Sequence, residues 1–260
     1  MTRKGFALLA VLWVIVALAS IVGLSVGAIR LGQTTSANRV LLVRGLWAAD
    51  ACLAIAESRW VSHHPADTAT IDLGRGTRCA WRVDDPTARL NANTASAAIL
   101  DNLADELGVP RSVIVTLVAH RPYQDTAQVR AVLTTDPRLL PFLTVDGPGT
   151  INVNAAAPEI LRVLPGVGPE AAATLEAARR IGHPIGSLDQ LASAAPGERP
   201  ALLEHYADLA ALLTFAPPQV VLTSSGWVDG LGSPSGLHAT AEELVVPLPD
   251  RLAVIRRRLW

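Results

Sequence analysis

The chain has 260 residues, half of them hydrophobic, with 22 basic against 23 acidic side chains and a formal net charge of −1. That balance removes the electrostatic case for a nucleic-acid or acidic-lipid partner. The two cysteines, Cys52 and Cys79, are spaced for neither a zinc knuckle nor a CxxC redox site, and a disulfide between them requires an oxidising compartment.

Residues 6–29 contain no charged side chain. At about 1.5 Å per residue this run crosses a hydrocarbon core of roughly 30 Å as a helix, and glycines such as Gly23 and Gly27 are tolerated there. A removable secretory signal has an apolar stretch of about 7–15 residues ending in a small-residue cleavage site, and neither condition is met. Beyond Ile29, residues 33–60 lack proline, and Leu42, Leu46, Ala49, Leu53, Ala56 and Trp60 recur at three- and four-residue spacing. That pattern predicts an amphipathic continuation, hence one helix over 6–60, greasy all round at first and two-faced later. An ordinary single-pass anchor needs no such extension.

Two strands follow, a short one over 70–73 and a second over 77–84, joined by Gly74-Arg75-Gly76. In the second, Cys79, Trp81 and Val83 alternate with Arg78 and Arg82, the pattern of a half-buried strand. Cys52 shares a helical face with Leu41, Ala48, Ile55 and Ala56, so Cys52 and Cys79 form either a disulfide pinning strand to helix or two buried thiols. His63-His64 before Pro65 is expected to be a solvated turn, and Asp84-Asp85-Pro86 a cap or turn.

The middle of the chain repeats itself. Leu90-Asn91-Ala92-Asn93-Thr94-Ala95 recurs as Ile151-Asn152-Val153-Asn154-Ala155-Ala156, and each copy opens a run of short helices. Asn93 and Thr94 are expected to cap the first helix, Pro158 to start its counterpart, Pro169 to follow a glycine turn, and Ser187 to cap a further helix. The turn Leu164-Pro165-Gly166-Val167-Gly168-Pro169-Glu170 looks like a helix-hairpin-helix, which grips DNA phosphates through glycine-loop amides. Such grips need nearby cations. This one has Glu170 after its glycines, and residues 151–190 carry three arginines against four acids, which favours a structural use.

Strands over 219–228, 237–246 and 251–259 close the chain, broken by glycine and proline clusters. Arg256, Arg257 and Arg258 are expected to form a solvated edge, with a lipid-headgroup contact as the alternative. The six histidines are scattered, and no HExxH, Ser/His/Asp, GxGxxG or P-loop pattern occurs. The expectation is therefore a protein without an active site.

The basic leader ending in Lys4-Gly5, the following Phe6 and the two-part helix together resemble a type IV prepilin or pseudopilin N-terminus. The resemblance implies cleavage after Gly5 by prepilin peptidase and N-methylation of Phe6. The fifth mature position, where most pilins carry a glutamate, is Ala10, a departure usual in one minor pseudopilin and consistent with a tip position. With the repeated asparagine segments and the late strands, the whole mature chain resembles the type II secretion minor pseudopilin K (GspK) family. The implied fold is α+β: a pilin-type long N-terminal helix with a small antiparallel sheet and a large all-helical, helix-hairpin-helix or SAM-like, inserted domain. The implied boundaries are a leader over 1–5, the helix over 6–60 with its transmembrane part over 6–29, a sheet head over 61–86 and 217–260, and an insert over 87–216. The implied role is a subunit in the inner membrane, head in the periplasm, that caps the pseudopilus tip and starts its assembly for protein export. The implied partners are the I- and J-type minor pseudopilins, the major pseudopilin, the prepilin peptidase, the inner-membrane assembly platform and the secreted substrates. Members of that family can bind calcium, but no run of acids places an ion here and no other cofactor is expected. The rival is a membrane-tethered helix-hairpin-helix DNA-binding protein of the competence type.

Overall fold

The computed structural model describes residues 3–62, 68–229 and 238–260. His63 and His64 lie outside the described residues. One helix, α1 (Arg3–Val61), runs unbroken through the apolar segment and its amphipathic continuation. No proline interrupts it, and Ser20, Ser25, Thr34 and Thr35 return their hydroxyls to carbonyls of the preceding turn, so none of them competes for the ladder.

The end of α1 lies across a five-stranded antiparallel sheet of order β1-β2-β7-β8-β9. Strands β1 (Thr68–Gly74) and β2 (Thr77–Asp84) form the first hairpin, and Gly74, Arg75 and Gly76 turn it with positive φ. β7 (Val220–Val228), β8 (Ala239–Pro247) and β9 (Leu252–Leu259) complete the sheet. The chain thus leaves the sheet after β2 and returns beside it in β7, Thr77 opposite Val228 and Asp84 opposite Val221.

Everything between β2 and β7 is an inserted, mainly helical unit. Its first half contains β3 (Leu90–Asn91), α2 (Ala97–Leu107), α3 (Arg111–Ala119), α4 (Thr126–Val132) and β4 (Leu143–Thr144). Its second half contains β5 (Ile151–Asn152), α5 (Pro158–Arg162), α6 (Pro169–Arg180), α7 (Leu188–Ala194), α8 (Arg199–Glu204), α9 (Tyr206–Leu212) and β6 (Leu213–Thr214). The unit is less purely helical than the sequence suggests. Each half enters and leaves on two-residue strands that pair in parallel, Leu90 with Leu143 and Ile151 with Leu213. Both halves share one hydrophobic core, in which Leu100, Leu103, Leu117, Leu133, Ile160, Leu175 and Leu191 are fully buried.

The buried face of α1 consists of Gly45, Ala48, Ala49, Cys52, Leu53 and Ala56. This corrects the expected stripe at one end, since Leu42 remains half exposed. Small side chains decide the rotation: a Cβ on Gly226 of β7 would run into the Gly45 carbonyl oxygen and come within 2.5 Å of the Ala49 amide nitrogen. Helix and strand meet backbone to backbone, and Ser224 Oγ donates to the Ala49 carbonyl at 2.6 Å.

Candidate assembly surface

Over residues 11–40 every side chain of α1 is exposed, and the helix is long and apolar enough to cross a membrane. After the polar stretch 32–39, apolar side chains are exposed again where the helix meets the sheet, Val40, Val43 and Trp47 at 59%, 50% and 71%. Trp47 stands as a fin between two shallow grooves. One is lined by Val43, Leu46, Asp50, Arg257 and Leu259, between α1 and β9. The other is lined by Arg44 and the β1–β2 turn, where Arg44 Nη2 donates to the Arg75 carbonyl at 2.9 Å and to Thr77 Oγ1 at 2.7 Å. Gly5, Phe6 and Ala10 all fall within α1.

Cys52 and Cys79 are joined by a disulfide with their Cα atoms 6.1 Å apart. It bolts α1 to β2 within a buried cluster with Ala48, Ala56 and Trp81.

The three consecutive arginines of β9 lie on the edge strand of the sheet, as expected, but each has an acidic neighbour. Arg256 donates to Asp146 at 2.6 Å and to Glu242 at 3.2 Å, tying the sheet to the loop after β4. Arg257 pairs with Asp50 on α1 and, at 3.4 Å, with Glu243. Arg258 lies 3.9 Å from Glu242. Alternation along the strand sends the outer two toward the insert and the middle one toward the helix.

Glu243 is almost wholly buried under α1. Burial, then a hydrogen bond and the adjacent charge of Glu57, push its pKa up to about 8.

The repeated asparagines do something sequence reading missed. Ser96, not Asn93 or Thr94, caps α2, accepting from the Ile99 amide at 3.2 Å. Asn93 instead clamps the backbone of Tyr123, accepting from its N–H at 2.7 Å and donating to its carbonyl at 2.9 Å. In the second half Asn154 accepts from the Ile185 N–H at 3.0 Å and donates to its carbonyl at 2.8 Å. An arginine completes each clamp: Arg121 donates to the Ala92 and Ala95 carbonyls, and Arg179 to those of Val153 and Ala156. The spacing between clamp and target is about a whole helical hairpin, so only the recurrence of the asparagines signals the function.

The hairpin turn is closed from within. The N–H groups of Gly168, Glu170 and Ala171 donate to the Glu198 carboxylate at 3.0, 2.9 and 2.9 Å. A Cβ at position 168 would meet that carboxylate and force it to shift. The amides that would hold a phosphate in a DNA-binding hairpin are already satisfied by an internal anion. Pro169 starts α6 and Ser187 caps α7, accepting from Gln190 at 3.1 Å.

Among the described residues no three His, Cys, Asp or Glu side chains are gathered to hold a metal ion. His120 sits on the exposed end of α3 with Nδ1 2.8 Å from the Thr116 carbonyl.

No family model and no curated protein matches the sequence. Among solved structures, the chain is similar to one in the GspK-GspI-GspJ complex of the type 2 secretion system from enterotoxigenic Escherichia coli, with a TM-score of 0.64 and 16% identity. The match covers 88% of this chain and 99% of that one. The fold is therefore pseudopilin-like, α+β, with a long N-terminal helix.

Proposed function

We propose that this chain is a minor pseudopilin of a type II secretion system, placed at the pseudopilus tip, where it helps to start assembly. The observation that carries the proposal is α1: a single helix that continues, still exposed, past its membrane-length apolar run, up to a sheet that grips only its far end. A helix serving only as an anchor would stop at the bilayer. The likeness to a chain of a three-pseudopilin complex supports other pseudopilins as the partners that cover it. In this reading Gly5 is the last leader residue, Phe6 becomes the methylated N-terminus, and Ala10 removes a carboxylate that would otherwise need a partner above it in lipid. The head and insert lie in the periplasm, where the Cys52–Cys79 disulfide persists. The insert, hung between β2 and β7, would obstruct close packing if every subunit of a filament carried one, which suits a single position at the end.

The competence-type DNA-binding reading loses its main support at Glu198, whose carboxylate takes the amides a phosphate would need. Coexpression with the I- and J-type subunits of the same apparatus, followed by affinity purification of the full chain from membranes, tests the proposal. A stoichiometric complex is expected, with no salt-sensitive DNA retardation by the purified protein. Purification without those subunits, together with tight binding to DNA that weakens as salt rises, would reverse the assignment.

A further inference from the structure

The charges along the exposed stem are one-sided. Between residues 11 and 49 the chain carries Arg30, Arg39 and Arg44 and no acidic residue; the first carboxylate is Asp50. That carboxylate is taken by Arg257, and the next on the helix, Glu57, faces Glu243. Arg30 and Arg39 are exposed, and Arg39 adjoins the apolar stripe of Val40, Val43 and Trp47. By the helical rise Arg39 stands about 14 Å beyond Arg30, too far above the membrane-spanning residues to share its lipid headgroup layer. An apolar stripe near the head of a helix that emerges from the membrane is covered most readily by another helix emerging beside it. A second copy laid parallel and in register meets arginine with arginine at positions 30 and 39 and offers no carboxylate before Asp50. Like charges bordering an apolar seam disfavour that pairing, as they do at the flanking positions of coiled coils.

Resting on the stem-packing role proposed above, we infer that Arg39 with the exposed stripe of Val40, Val43 and Trp47 forms a cationic seam that disfavours an in-register second copy and selects the helix of a different subunit bearing carboxylates at the same height. The apolar residues supply the contact area and the arginines supply the choice of partner. Arg44 is partly committed, because it also holds the β1–β2 turn. Arg39 is the freer selector.

The test needs no other subunit. Full-length chains carrying a donor or an acceptor fluorophore at the C-terminus are reconstituted in zwitterionic lipid vesicles, as wild type, Arg39→Glu and Arg39→Gln. Arg39 is exposed on the helix and, among the described residues, has no hydrogen-bond or ion-pair partner to lose, so both variants are expected to fold. Energy transfer between wild type and Arg39→Glu should exceed that of wild type with itself by about threefold, the scale of one exposed charge pair, and the gain should vanish at high salt. Arg39→Gln should self-associate more than wild type. Equal transfer in all pairings, or a gain indifferent to salt, overturns the selective seam while leaving the stem-packing role in place. Enhanced association that requires anionic lipid would assign Arg39 to headgroups and also overturn it. No transfer in any pairing would remove the stem-packing role itself, and the inference with it.

Discussion

Gly226 of β7 lies directly beneath Gly45 of α1, so close that the helix carbonyl occupies the space a side chain would take. The contact fixes how the long helix sits on the sheet, because the obstructing atoms are backbone on both sides. Gly226→Ala is expected to destabilise the full chain by at least about 3 kcal/mol, the upper range for overpacking, because no flexible side chain is available to yield. Thermal unfolding in detergent micelles measures it. A melting temperature within a degree of wild type would mean that the helix can lift off the strand at little cost.

Reducing the Cys52–Cys79 bond, or replacing both residues by serine, should lower stability by about 3 kcal/mol, the expectation for cross-linking across a few tens of residues. The two cysteines are separated by 27 positions. Melting with and without reductant checks this, and the double-serine variant should lose its sensitivity to the reductant.

Glu198→Ala should cost about 1.5–3 kcal/mol, because three amides at the start of α6 lose a charged acceptor. Glu198→Gln should cost less. Amide exchange at Gly168, Glu170 and Ala171 should rise in both variants, while the Asn154 clamp stays protected.

Glu243 gives stability a sign with pH. Below the ordinary carboxylate range both folded and unfolded chains hold its proton; between that range and about 8 only the folded chain does. The folded state therefore binds more protons in that window, and stability falls as pH rises through it. Glu243→Gln should flatten this part of the profile. An unchanged slope would place the titration elsewhere.

Arg256→Ala should loosen the insert from the sheet without unfolding either, since it removes the bonds to Asp146 and Glu242. Faster hydrogen exchange is expected around Asp146 and β9, with the Leu100–Leu191 core unaffected.

Features carried by local pattern were legible in the sequence. The charge-free run and the lack of proline define α1, and alternation around Cys79 and Trp81 defines β2. The glycine turn and Pro169 place the start of α6, and the balance of charge in that region points the same way as the Glu198 carboxylate on its amides. What escaped depends on partners distant along the chain. Asn93 looks like a cap until Tyr123 is placed beside it, and Arg256 looks solvated until the insert brings Asp146 to it. Glu198 gives no sign of its role, because nothing local links it to amides a whole helix earlier. The Gly45–Gly226 contact is silent for a further reason: a glycine in a helix or strand reads as weakness, and its use appears only when two backbones meet.

The mature N-terminus tests the central claim most directly. Intact-mass and fragment mass spectrometry of the full chain, extracted from membranes of cells that contain a prepilin peptidase, should show a protein that begins at Phe6 and carries one methyl group on its amine. A chain that still begins at Met1, or at any residue other than Phe6, would contradict a pseudopilin role.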